Sequence, residues 1–205
     1  MRQTTEQETF WQGAFGDEYV ERNQGQALVA ANLALFSRAL ARTDTVNSLL
    51  ELGTNTGNNL LALHSLLPGC ELHGVEINAM ACEAARSLGL ADMWQGSLFE
   101  FPRTRRYDLT LTKGVLIHLA PERLQDAYDQ LYRLSSRYVL LAEYYNPVPV
   151  EVPYRGNAGK LFKRDFAGEM LDRFSDLRLV DYGFAYRRDP RFPMDDINWF
   201  LLEKS

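Results

Sequence analysis

The chain has 205 residues, 46% of them hydrophobic, and carries a formal net charge of −5 at pH 7. That length suits one domain with a sizeable core and leaves no room for a second substrate domain. The acidic balance argues against a nucleic-acid surface, which needs a basic stripe, and points to a small-molecule ligand.

Residues 1–9 are polar without an apolar run, and no stretch of roughly 18 apolar residues occurs, so neither a signal peptide nor a membrane contact is expected and the protein is read as cytoplasmic. Cys70 and Cys82 lack C-x-x-C spacing and a partnering His cluster. Inert, buried thiols are expected, with no disulfide or zinc framework.

Residues 10–23 mix aromatics with glycine and charge ahead of the first strand, a composition that suits a segment folding across a ligand mouth. A helix is expected from about residue 26 to 40. Tyr19 and Arg22 lie three apart on one helical face, and the fork of Arg22 suits a bidentate clamp on the carboxylate of a bound amino acid moiety. A helix docking its aromatic face on the sheet edge, with Arg22 solvated, explains the same residues.

Residues 46–52 form an apolar run broken by Glu51, a turn carrying Gly53 and Gly57 follows, and Leu60, Leu61, Leu63, Leu66 and Leu67 then recur at helical spacing. This pattern predicts a strand, a tight loop and a helix, the place where open α/β sheets bind nucleotide-like ligands. The loop is not G-x-G-x-x-G, because Asn55 stands at the middle glycine's place. With Glu51 two residues before Gly53, it resembles motif I of the class I S-adenosylmethionine-dependent methyltransferases; a plain strand-to-helix connection is the alternative. Residues 71–76 read as the next strand, ending in Glu76, 23 residues after Gly53. There a carboxylate can accept hydrogen bonds from both ribose hydroxyls, unless it is only a solvated turn residue. Ile77 would then lie against the adenine face.

A helix over residues 79–87 and a short strand over 92–96 lead to Ser97-Leu98-Phe99. In the methyltransferase arrangement that loop flanks the adenine, so Ser97 and Leu98 would contact the ring; an ordinary surface loop explains them too. Residues 107–112 alternate as a half-buried strand. Lys113 and His118 follow at its C-terminal end, where ligands of such sheets lie. Pro121 opens an amphipathic helix to about Leu134. Residues 138–145 form the next strand, stopped by Asn146-Pro147. The stretch 146–163 is long, proline-bearing and locally basic, the kind of loop that carries function. A helix over 165–174 and closing strands over 177–186 and 197–202 complete the chain, the last strand returning antiparallel.

These elements predict one domain: a helical cap (1–42), a cofactor-binding core (43–145), an acceptor-side loop and helix (146–176) and closing strands (177–205). The fold class is α/β, a Rossmann-like, seven-stranded, mostly parallel sheet with an antiparallel last strand and helices on both faces. A six-stranded dinucleotide fold would lack that last strand.

Several stretches together resemble the pseudaminic acid biosynthesis-associated methylases of bacterial surface-sugar clusters. They are Phe15-Gly16-Asp17-Glu18-Tyr19, Glu51-Leu52-Gly53-Thr54-Asn55 with Gly57 and Asn59, and Thr112-Lys113-Gly114-Val115-Leu116-Ile117-His118. They continue with Ala142-Glu143-Tyr144-Tyr145-Asn146-Pro147, Tyr154-Arg155-Gly156 and Leu161-Phe162-Lys163-Arg164-Asp165-Phe166. The resemblance spans nearly the whole chain and accommodates Asn55. It implies S-adenosyl-L-methionine as cofactor, S-adenosyl-L-homocysteine as product, and a bacterial sugar or sugar nucleotide as acceptor.

Methyl transfer from a sulfonium asks the protein to hold the acceptor in line and exclude water. His118 is the first candidate base, because imidazole titrates nearest neutrality; a structural histidine bonded to a loop carbonyl is the alternative. Tyr144 and Tyr145 are candidate orienting hydroxyls, or packing residues. Arg155 and Lys160 suit an anionic acceptor, or form a solvated basic loop. No metal is expected. A nicotinamide-dependent oxidoreductase and a non-catalytic cofactor-binding scaffold are the competing readings.

Overall fold

The computed structural model describes residues 3–22 and 25–205; residues 1, 2, 23 and 24, and the side chain of Glu21, lie outside the described residues. The apolar runs become β1 (Ser48–Leu52), β2 (Glu71–Glu76), β3 (Asp92–Gln95), β4 (Tyr107–Lys113) and β5 (Ser135–Glu143). These five pair in parallel. The stretch after β5 folds back as a two-stranded ribbon, β6 (Val150–Glu151) and β7 (Phe162–Lys163), before β8 (Leu177–Ala185) and β9 (Ile197–Lys204) extend the main sheet. The order is β3-β2-β1-β4-β5-β9-β8, with β9 antiparallel to both neighbours. Strand order reverses between β1 and β4, so a crevice opens beyond their carboxyl ends.

The central strands are buried on both faces, and their period-2 alternation sorts side chains between two cores. Leu49, Leu109 and Leu140 face one core with Phe36 of α3 (Gln26–Ala39) and Leu63 of α4 (Asn58–Leu66). Cys82 and Ala85 of α5 (Ala79–Ser87) belong to that core as well. Leu50, Val139 and Leu141 face the other, with Leu131 of α6 (Leu124–Leu134) and Met170 of α7 (Phe166–Arg173). Burying each such leucine contributes about 1.5–3 kcal/mol. Two short helices, here named αA (Glu6–Gln12) and αB (Ala14–Arg22), precede α3 and lie outside both cores.

Three boundaries differ from the sequence expectation. The helix opened by Pro121 begins as a single 3-10 turn, Pro121–Arg123, before the regular turns of α6. That helix passes straight into β5, which starts at Ser135 rather than 138; the Ser135 hydroxyl donates to the Tyr138 carbonyl. β5 also ends at Glu143, leaving Tyr144 and Tyr145 beyond the ladder. Cys70 and Cys82 are free thiols, the second fully buried. Among the described residues no helix is long and apolar enough to cross a membrane.

Candidate active site

Beyond the carboxyl ends of β1, β2 and β4 lies a cavity of about 260 Å³. Its floor begins at Gly53, whose φ of +84° is left-handed and whose missing Cβ would sit 2.4 Å from Val115 Cγ2. Only glycine fits there. Asn55 follows with φ +50°, a conformation asparagine tolerates better than most residues. Its N–H donates to Glu76 Oε2 at 2.7 Å, while the Asn78 N–H donates to Oε1 at 2.8 Å. The loops after β1 and β2 therefore clamp one carboxylate between them. Burial pushes the Glu76 carboxyl above its ordinary range, and the backbone N–H groups pull it back.

Glu51 lies beneath this floor. Its Oε1 accepts from Asn59 Nδ2 at 2.5 Å, and its Oε2 is buried with no partner among the described residues. Burial raises its pKa to about 8, opposed by Asn59 and by the nearby Lys113 ammonium. Burial in turn pushes the Lys113 ammonium down, while Glu51 and Asp195 favour its charge. Glu143, the last residue of β5, accepts the N–H groups of Val115 and Leu116 at 3.1 Å each, which fixes the loop after β4. Burial holds its pKa near 7.

αA and αB form the roof. The αA residue Glu8 accepts from the Ser97 hydroxyl, and the Asn78 amide donates to Asp17 Oδ1 at 2.7 Å and to the Trp11 carbonyl at 3.3 Å. The roof is also tied to the segment after β5. Gln7 Nε2 donates to the Gly159 carbonyl at 3.1 Å, and the buried Lys160 ammonium pairs with Glu6. Trp11 packs against His118 and Tyr19, with ring centroids 4.6 and 5.2 Å away.

His118 Nδ1 lies 2.6 Å from the Lys160 carbonyl oxygen. That oxygen only accepts, so Nδ1 carries the proton and Nε2 is the bare nitrogen. Burial pulls the imidazole pKa down to about 4, so the ring is neutral at pH 7.

Of the sequence-expected residues, Tyr19, Gly53, Asn55, Glu76, Ile77, Ser97, Leu98, Lys113 and His118 line this one cavity. The others stand elsewhere. Arg22 pairs with Glu18 at 3.5 Å and sits over the Phe15 ring. Gly57 packs at the start of α4 against Leu88, behind the floor, and Glu51 is beneath it. Tyr144 lies under the Lys163 ammonium, and Tyr145 turns toward Phe200 on the outer surface. Arg155 occupies an exposed turn over Tyr154, and Lys160 is taken up by Glu6. Sequence reasoning missed the structural parts of the site: Glu8, Trp11, Asn78, Glu143 and Asp195. The capping-box spacing Thr5-x-x-Glu8 and the acid closing the β5 run were the available signals.

The site suits S-adenosylmethionine. Gly53 keeps a side chain off the cavity floor, and the Glu76 carboxylate is held at the cavity wall by two backbone N–H groups, a fit for a nucleotide-like ligand. Among the described residues no cluster of three His, Cys, Asp or Glu side chains forms a metal site.

Residues 49–137 match the family model described as a methyltransferase domain. No curated protein matches the sequence. Among solved structures, magnesium protoporphyrin IX methyltransferase from Synechocystis PCC 6803, with bound SAM, superposes with a TM-score of 0.70 at 12% identity over 100% of both chains. The 1,6-didemethyltoxoflavin-N1-methyltransferase of Burkholderia thailandensis gives 0.69 at 14% identity, covering 97% of this chain and 87% of that one. The plantazolicin methyltransferase BpumL gives 0.67 at 14%, covering 97% and 94%. The structural likeness shows the fold, that of the class I methyltransferases, and the match over residues 49–137 supports a methyltransferase activity.

Proposed function

We propose that the protein transfers the methyl group of S-adenosylmethionine to an oxygen or nitrogen of a small acceptor, a bacterial surface-sugar intermediate of the pseudaminic acid type, free or as its nucleotide. The observation that carries the small size is the roof. αA is tied to the segment after β5 beside the cavity, which favours a compact acceptor over a polymer. The sugar assignment rests on the resemblance carried by residues 112–118, 142–147, 154–156 and 161–166. The Lys113 ammonium in the cavity wall is the cation available to an acidic acceptor, in preference to Arg155 and Lys160, which lie outside the cavity lining.

Bound S-adenosylmethionine supplies an activated methyl carbon, so no protein nucleophile is needed. In this reading Glu76 holds the ribose, Ile77 and Leu98 border the adenine, and Tyr19 closes the cavity above them. Trp11, Tyr19 and His118 exclude water from the reacting end. His118 Nε2 receives the proton that a hydroxyl acceptor releases.

Calorimetric titration with S-adenosylhomocysteine and with NAD tests the cofactor half. Tight binding of the thioether, none of NAD, and about a 100-fold loss in Glu76→Ala are expected, since the variant removes an acceptor from two ribose hydroxyls at roughly 1.5 kcal/mol each. Unchanged affinity in that variant would remove Glu76 from the role. Formation of S-adenosylhomocysteine with acidic nine-carbon sugars and their nucleotide forms tests the acceptor, and turnover only with non-carbohydrate compounds overturns the sugar assignment.

A further inference from the structure

β8 is the outer edge of the main sheet, and only the start of its inner face is covered. Leu177 is buried there in one core with Met170 of α7. Beyond the bulge between Leu179 and Asp181, the same face carries Tyr182 and Phe184, and Tyr186 follows just past the strand. Tyr182 stacks on Phe200 of β9, with centroids 6.3 Å apart and planes 17° apart. Phe200 in turn meets Tyr145 at 6.1 Å, and Phe184 meets Tyr186 at 5.9 Å. One aromatic strip therefore runs from the end of β5 across β9 to β8.

Solvent reaches 66% of Tyr182, 48% of Phe184, 45% of Tyr186 and 39% of Tyr145. An aromatic side chain carries about 150–250 Å², so these four leave on the order of 400 Å² of ring surface exposed. Singly exposed apolar residues are ordinary, but a contiguous patch of several hundred Å² is characteristic of a contact site. A stable interface takes about 800 Å² from each partner, slightly more than half of it apolar. The strip by itself matches the apolar share of one such interface.

We propose that this strip is a dimer interface, packed face to face against the same strip of a second copy of the chain about a two-fold axis. Two features favour a second copy as the occupant. The strip lies on a sheet and is nearly flat, and a flat patch is complementary to itself without a matching groove. It is also free of charge. On this face β8 and β9 contribute Leu179, Tyr182, Phe184, Asn198 and Phe200, whereas Asp181 turns to the opposite face and pairs with Arg42 at 3.2 Å. Two chains of net charge −5 can therefore meet here with no like charges opposed. The same lack of charge disfavours an anionic lipid surface, which lysine and arginine side chains hold. The contact runs through the faces and not the edges, because the bulge and the Tyr182 N–H bonded to Asp181 Oδ1 blunt β8 against strand addition.

Sedimentation equilibrium of the full chain tests this. The parent is expected to be mostly dimeric at about 50 µM, and Tyr182→Glu, which sets carboxylates of the two copies across the contact, to weaken the dimer more than roughly tenfold. Phe184→Ser removes a ring without adding charge and should weaken it about five-fold or more. Met80→Ser, at a side chain as exposed as Phe184 but on α5, should leave the dimer unchanged. Cooperative thermal unfolding of each variant checks that it is folded. A parent that sediments as a monomer at about 100 µM overturns the proposal. A dimer that both strip variants leave intact overturns it as well. A monomeric parent that floats with neutral phosphatidylcholine vesicles would give the strip to a lipid surface and likewise overturn the dimer.

Discussion

Gly53 meets two demands at one residue. Its backbone is left-handed, and the space a Cβ would take belongs to Val115. Gly53→Ala is expected to destabilise the fold by about 1–3 kcal/mol and to weaken S-adenosylhomocysteine binding more than tenfold, because Val115 or the loop must shift into the cavity. Thermal unfolding and calorimetry of the variant check both effects. His118 offers a pH test. Its folded pKa of about 4 lies below the ordinary 6.5, so the unfolded chain binds more protons between those values. The contribution is fully present above pH 6.5 and is lost as pH falls through 4. Glu51 and Glu143, with raised pKa values, act in the opposite direction as pH rises, so the difference between parent and variant isolates the histidine. His118→Gln should unfold less steeply than the parent as pH drops from 6.5 to 4, by up to about 3 kcal/mol in denaturant titrations. Parallel curves for the two proteins would show that burial does not hold this imidazole neutral.

At the scale of elements, the roof is held by contacts outside the two cores. αA and αB are tied to the segment after β5 by Gln7, Glu6 and Lys160 and by ring contacts of Trp11 and Phe15 with Tyr154. Lys160 is 7% exposed but its partner Glu6 is 83% exposed, so solvent screens the pair to about 1 kcal/mol or less. Lys160→Met is expected to raise the dissociation rate of S-adenosylhomocysteine a few-fold and to speed amide exchange in αA, with the sheet unchanged. Equal protection of αA in both proteins would show the ion pair to be incidental. The sheet elements were legible from the chain because period-2 and period-3.6 apolar patterns are local, and they placed β1, α4, β2 and β4 within a residue or two. The ends of β5 were not legible. They depend on α6 running directly into the strand and on Glu143 turning back to bind the loop after β4.

For the whole molecule, the methyltransferase assignment predicts linkage between ligand and fold. S-adenosylhomocysteine at about 100 times its Kd should stabilise the native state by about 2.7 kcal/mol and raise Tm by roughly 5–10 °C. Scanning calorimetry with and without the ligand measures this, and no shift would mean the cavity does not take the thioether. The sequence by itself determined the α/β class, the strand-loop-helix cradle at Gly53, and the carboxylate at Glu76, because each depends on neighbours a few residues away or on fixed strand spacing. Only the tertiary structure decided which side chains share the cavity. It drew in Trp11 and Glu8 from the N-terminus and sent Arg22, Tyr145 and Arg155 outside. The contacts that enforce this span long stretches of chain, 89 residues between Glu8 and Ser97 and 154 between Glu6 and Lys160. Such pairings follow from how α-helices pack over a finished sheet, where burial and hydrogen-bond satisfaction act across distances that no local pattern records.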